Sequence, residues 1–214
     1  MLKRWDSLLH RLINADINVF EQNDLNLTFK IIESVYNSEK RYYHTFKHIE
    51  YMLINLDKHF TDLLTPKEKD IIELAIWFHY FIYDIENPPN ENELHSADIV
   101  SNFSKLVKLD DDIRHQAFEL ILATIHNKKQ TTFIGKIICD LDLLELSDFS
   151  AYFKNRHNVR KEYHNINDEQ FLEGRKKFLE LMLNKETIYQ TELFQKHFEK
   201  SSRQHLSIEL NYFY

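Results

Sequence analysis

Two glycines and three prolines in a chain of 214 residues leave few places where the backbone can reverse tightly. Two-residue β-hairpins need residues that tolerate left-handed angles, chiefly Gly and Asn-Gly or Asp-Gly pairs. An architecture of many short strands therefore has almost nothing to turn on. Leu, Ile, Lys, Glu and Asn are abundant instead, which favours long helices joined by short polar loops. The fold class expected is all-α. No internal repeat, low-complexity tract or Gly/Ser linker marks a boundary, so residues 1–214 are expected to form one compact helical domain, long enough to bury a substantial core.

Apolar residues recur at helical spacing in Ile49, Met52, Leu53, Leu56 and Phe60, and this stripe predicts a core-facing helix over about 44–61. Thr65-Pro66-Lys67-Glu68 then offers an N-cap threonine with proline at the first helical position, so a new helix is expected over about 66–83. Residues 84–92, with two prolines and three asparagines, read as a loop of about eight residues. Further helices are expected near 93–106, 111–127, 131–146, 149–165, 168–184 and 190–210.

The formal net charge of −7 gives no basic face for sequence-independent binding of a nucleic-acid polymer. Cys139 is the only cysteine, so an intramolecular disulfide cannot form and a reducing compartment is the natural setting. The thiol reads as a buried structural group. Residues 1–12 are interrupted by charge too often for a secretory apolar core and read as an amphipathic helix. The longest uncharged run, Leu74 to Tyr83, covers ten residues, about half of a membrane-spanning helix. A cytoplasmic protein with no membrane partner is expected.

Chemistry-bearing residues concentrate in two histidine-containing segments and one later aspartate pair. If residues 44–48 are helical, His44 and His48 project from one face, a turn apart. His79 lies in the apolar stretch, where a buried imidazole needs a hydrogen bond or a ligand. His44, His79, His126 and Asp142 fall near the middle or end of separate predicted helices. Helical bundles build metal sites from inward-facing groups on different helices in this way. Nitrogen and carboxylate donors together suit Mn, Fe, Ni or Zn.

A histidine on one helix, a second histidine on a later helix and a downstream aspartate, in that order, resemble the HD superfamily of metal-dependent phosphohydrolases. More narrowly, the chain resembles a bacterial group of predicted HD-superfamily hydrolases over nearly its whole length. The matching stretches are Tyr43-His44-Thr45-Phe46-Lys47-His48-Ile49, Ala75-Ile76-Trp77-Phe78-His79, Tyr83-Asp84, Asn92-Glu93-Leu94-His95-Ser96-Ala97, Ala123-Thr124-Ile125-His126, Asp140-Leu141-Asp142-Leu143, Arg160-Lys161-Glu162-Tyr163 and Gly174-Arg175. The resemblance implies a single helical bundle of the HD-domain type, with His44, His79 and Asp142 as metal ligands and Asp140 as the alternative for the last. It places His48 and His126 close by, as ligands of a second metal or as acid and base groups, and Glu93 in the pocket wall.

The chain departs from the pattern at Tyr80, where the resemblance calls for the aspartate paired with the histidine. A phenol is ordinarily protonated at neutral pH and a poor ligand. Three consequences are open: a weaker mononuclear site, rescue by Asp84, Glu91 or Glu93, or a site that binds ligand without metal.

The function implied is hydrolysis of a small phosphate ester or nucleotide-like substrate by a divalent transition metal. The metal activates water and polarises the phosphorus–oxygen bond, while His48, His126 or Glu93 moves the proton. Arginine forks suit phosphate, and Arg41, Arg160, Arg175 and Arg203 are the candidates, with Lys47 as a further cation. Arg41 leads because it lies one helical turn before His44. The alternative is a catalytically degenerate HD-domain protein that serves as a nucleotide-binding or interaction module.

Overall fold

A computed structural model describes residues 1–13 and 22–213 of the chain. The described residues form ten α-helices and two short 3-10 turns, with no strand among them. The all-α expectation holds. By internal contacts the chain divides into two compact units, Met1–Lys128 and Lys129–Tyr214. Among the described residues no helix is long and apolar enough to cross a membrane.

The first unit contains α1 (Leu2–Leu12), α2 (Gln22–Tyr36), α3 (Phe46–Phe60), a 3-10 turn (Thr61–Leu63), α4 (Pro66–Phe78), α5 (Glu91–Leu106) and α6 (Asp111–Ala123). Helix α4 is its centre and packs against α1, α3, α5 and α6. Neighbours on several sides explain why α4 is buried at every residue from Asp70 to Phe78, and why its sequence lacks a polar stripe. It starts where the local signals place it. Thr65 Oγ1 accepts from the Glu68 main-chain N–H, and the Glu68 carboxylate accepts from the Thr65 N–H, with Pro66 at the first helical position.

Helix α1 buries Trp5, Leu8, Leu9 and Leu12, the i, i+3, i+4, i+7 stripe of an amphipathic helix. Trp5 is fully buried, with its ring 5.4 Å from Trp77 and 5.6 Å from Phe103. Two carboxylates of α4 would be costly to bury alone, and α1 supplies their partners. The Arg4 guanidinium grips Glu73 at 2.7 and 3.2 Å, and Arg11 donates to Asp70 at 2.9 Å.

The second unit contains α7 (Phe133–Leu143), a 3-10 turn (Leu144–Ser147), α8 (Phe149–Glu162), α9 (Asp168–Asn184) and α10 (Glu192–Phe213). Side chains cap three of these helices: Thr132 accepts from Gly135 N–H, Asp148 from Ala151 N–H and Asn167 from Gln170 N–H. Gly135 permits the first of these caps, because a Cβ there would lie 2.8 Å from Thr132 Oγ1. Helix α10 packs on α8, α9 and the 3-10 turn. Its fully buried Glu209 accepts from Arg156, Arg175 and the Tyr152 hydroxyl.

Helix ends depart from the sequence reading at three places that bear on the site. The helix expected from residue 44 starts at Phe46, because Thr45 is in extended conformation as its N-cap. The helix expected to reach 83 stops at Phe78, so residues 79–90 form the connection to α5. The helix expected to reach 127 stops at Ala123, where Thr124 Oγ1 turns back onto the Ile121 carbonyl and His126 takes a left-handed φ of 58°.

Candidate metal centre

Two segments of the first unit meet at the buried end of α4. One is residues 41–48, which end the connection from α2 and enter the first turn of α3, and the other is the turn at 79–83. His79, fully buried, is the first residue beyond α4. A main-chain carbonyl can only accept, so the 2.8 Å contact between His79 Nδ1 and Ile76 O makes Nδ1 the protonated nitrogen. The lone pair of the neutral ring is thereby on Nε2. Orientation of an imidazole by a carbonyl on its far nitrogen is the usual second layer of a metal-binding histidine.

His48, in the first turn of α3, is 3% exposed, and its ring centroid lies 5.4 Å from that of His79. Aromatic rings enclose the pair. Tyr80 lies 4.7 Å from His79 and 4.2 Å from His44, and Tyr83 lies 4.1 Å from His44. Tyr43 stands 5.2 Å from His48.

In the second unit, Asp140 and Asp142 both lie on α7 and both are buried. Asp140 accepts from the main-chain N–H groups of Gln190 and Thr191 at 2.6 and 2.8 Å and from the Thr191 hydroxyl at 2.6 Å. It therefore holds the start of α10, where a negative charge is favoured by the helix dipole. That role separates the two aspartates that the sequence leaves as alternatives.

His48, His79 and Asp142 are buried, and each could give a metal ion one ligand atom. The group could hold a metal ion. Two imidazoles and one carboxylate fit Fe, Mn, Ni or Zn, and three protein ligands leave a position open for water or substrate. The donor chemistry and the fixed tautomer of His79 both suit an ion.

His44, the first ligand that the resemblance implies, lies 6.3 Å from His48 between ring centroids. It precedes the N-cap of α3, so it is not one helical turn along the same face from His48, and its ring packs on Tyr80 and Tyr83. The sequence carried a signal for His48, which lies four residues before Met52 on the stripe that faces the core. Asp84, Glu91 and Glu93 are the carboxylates considered as replacements for the one that Tyr80 lacks. Asp84 is exposed and accepts from the Glu86 N–H. Glu93 is half-buried in the first turn of α5, and His126 is half-buried in the turn after α6.

The cations expected at phosphate lie as follows. Lys47 is exposed on α3. Arg160 donates to Asp168 and to the carbonyls of Tyr163 and Ile166, closing the turn between α8 and α9. Arg175 grips Glu209 with Nε and Nη2. Arg203 donates to the carbonyls of Leu183, Lys185 and Glu186 at the end of α9. Arg41 donates from Nη1 to the carbonyls of Tyr80 and His44 and from Nη2 to that of Phe81.

No known protein-family profile matches the chain, and no curated protein or solved structure matches it either.

Proposed function

We propose that the protein is a metal-dependent phosphohydrolase of the HD type, acting on a small phosphate ester or nucleotide-like substrate, with His48, His79 and Asp142 as ligands of one divalent transition metal. The observation that carries this reading is the buried His48–His79 pair, with ring centroids 5.4 Å apart and with His79 held on the Ile76 carbonyl through Nδ1. When bound, a divalent metal lowers the pKa of its water toward about 7 and polarises the phosphorus–oxygen bond.

The chain's own residues do the rest. The Ile76 carbonyl holds His79 so that Nε2 is the donor. Asp142 gives the donor set one negative charge, which leaves a site with a divalent ion net positive and receptive to an anionic substrate. With Tyr80 in place of a carboxylate, the pair contributes no bridge to a second ion, and a single metal follows. His48 is taken into the ligand set, so proton transfer to the leaving group falls to His126 or Glu93. A small phosphorylated partner, rather than a nucleic-acid polymer, agrees with the net charge of −7. A cytoplasmic setting belongs to the same reading.

The test is metal content of freshly purified protein, thermal stabilisation by added Mn, Fe, Ni or Zn, and hydrolysis of a phosphate-ester panel. Native protein and the His79→Ala, Asp142→Ala and Tyr80→Asp variants are measured side by side. Native protein should hold about one equivalent of metal, and the first two variants should lose it. Native protein that neither carries metal nor responds to any of the four would end the reading. The packing of Tyr80 against His44 and His79 gives weight to one rival, a ligand-binding member without turnover. Stabilisation by nucleotide without hydrolysis, with activity appearing only in Tyr80→Asp, would favour it.

A further inference from the structure

The last turn of a helix leaves carbonyl groups without intrahelical partners, and at a buried end each must be met by something else. At the end of α4 the Ile76 carbonyl accepts from His79 Nδ1 at 2.8 Å, that of Trp77 from the Tyr36 hydroxyl at 3.1 Å and that of Phe78 from the Phe81 N–H at 2.9 Å. Two further carbonyls of the turn, those of Tyr80 and Phe81, accept from one guanidinium, Arg41, at 2.6 and 2.8 Å. The same Nη1 also donates to the His44 carbonyl at 3.3 Å. The guanidinium carbon lies 4.9 Å from the Tyr36 ring and 5.8 Å from the Tyr83 ring. A cation is favoured at a helix C-terminus, and a planar fork can serve two carbonyls at once where an ammonium cannot.

From this geometry we infer that Arg41 is a positioning residue, which ties the 79–83 turn to the 41–48 segment and thereby sets His79 and Tyr80 against His44 and His48. The consequence for the site rests on the metal-binding reading given above, whereas the positioning itself does not. Three of the five guanidinium N–H groups donate to main-chain carbonyls, so Arg41 acts through the turn. Fixing the Tyr80 and Phe81 peptide groups fixes where the Tyr80 ring lies, 4.2 Å from His44 and 4.7 Å from His79. It also holds the chain just beyond His79, whose ring is already oriented from its other side by Ile76.

The experiment uses the full-length protein with Arg41→Ala and Arg41→Lys. A metal-free measurement comes first: a histidine-selective long-range proton–nitrogen correlation spectrum, with the Trp5 indole N–H, which donates to Thr28, as an internal reference for the core. Arg41→Ala should shift the ring signals of His44 and His79 while leaving Trp5 in place. Millimolar guanidinium should restore them and equal ammonium should not, and Arg41→Lys should resemble the alanine variant. Titration with Co²⁺, followed by its visible spectrum, should then show affinity about tenfold lower in Arg41→Ala, the size expected for a supporting residue of a metal ligand.

Histidine signals in Arg41→Ala that coincide with the wild type would overturn the inference, and so would Arg41→Lys behaving as wild type. If Arg41→Ala does not fold, the lysine variant decides alone, since it keeps the positive charge and removes only the fork. Wild-type protein that takes up no Co²⁺ while the histidine signals move as expected would sustain the positioning role and remove the metal reading.

Discussion

Replacing Asp140 and replacing Asp142 should have opposite signatures, although the two carboxylates are two residues apart on a single helix. Asp140 is fully buried and accepts three hydrogen bonds, two of them from main-chain N–H groups that lead into α10. Asp140→Ala leaves those two donors without their acceptor, at about 1–3 kcal/mol each. The lost charge at a helix N-terminus adds up to about 1 kcal/mol, and relief of a desolvated carboxylate offsets part of the sum. The net expectation is a loss of about 3–4 kcal/mol. Asp140→Asn keeps one acceptor oxygen but turns an amide toward a donor, so a loss of about 2–3 kcal/mol is expected. Asp142→Ala should instead abolish the response to metal, which for native protein at a hundredfold excess over Kd is a gain of about 2.7 kcal/mol. Urea unfolding followed by far-ultraviolet circular dichroism, with and without the metal found in native protein, measures both effects. The reasoning fails if Asp140→Ala costs less than about 1 kcal/mol, or if the metal response vanishes with folded Asp140→Asn and survives in Asp142→Ala.

Two further outcomes concern groups of the second unit. Burial raises the Glu209 carboxyl, but the hydrogen bonds and charge of Arg175, the Tyr152 hydroxyl and the charge of Arg156 outweigh it and hold the group below its ordinary value. A lowered value in the folded state means that ionised Glu209 stabilises the fold above the ordinary carboxylate pKa, and that this contribution is lost as pH falls through the folded value. The stability gap between wild type and Glu209→Gln should thus be constant near neutrality and shrink below about pH 4.5; a gap that widens on acidification would refute the assignment. Cys139 is 1% exposed, and burial, reinforced by the charges of Asp142 and Asp140, pushes its thiol up. It should react with a thiol-specific disulfide reagent at about pH 8 only after unfolding in urea, and comparable rates in folded and unfolded protein would count against that environment.

Much of the fold was legible because its causes are local. The stripe Ile49, Met52, Leu53, Leu56 and Phe60 announces α3, Thr65-Pro66-Lys67-Glu68 announces the start of α4, and the span expected over 168–184 is that of α9. The ends near the site were not legible. Whether α4 stops at Phe78 or runs on depends on donors that come from Tyr36 and Arg41, about forty residues away in sequence. The same holds for the arginines: their number and type are written in the chain, but not that Arg160, Arg175 and Arg203 meet carbonyls and carboxylates of the fold.

The sequence by itself determined the helical class, the core stripes and the kinds of donor available, because side-chain periodicity and capping act over a few neighbouring residues. Only the tertiary structure decided that Asp140 holds the start of α10, that the His48 and His79 rings lie side by side, and that Arg41 meets main-chain carbonyls. Each of those choices turns on groups far apart along the chain being brought within a few ångströms, and burial then requires every polar atom so placed to find a partner.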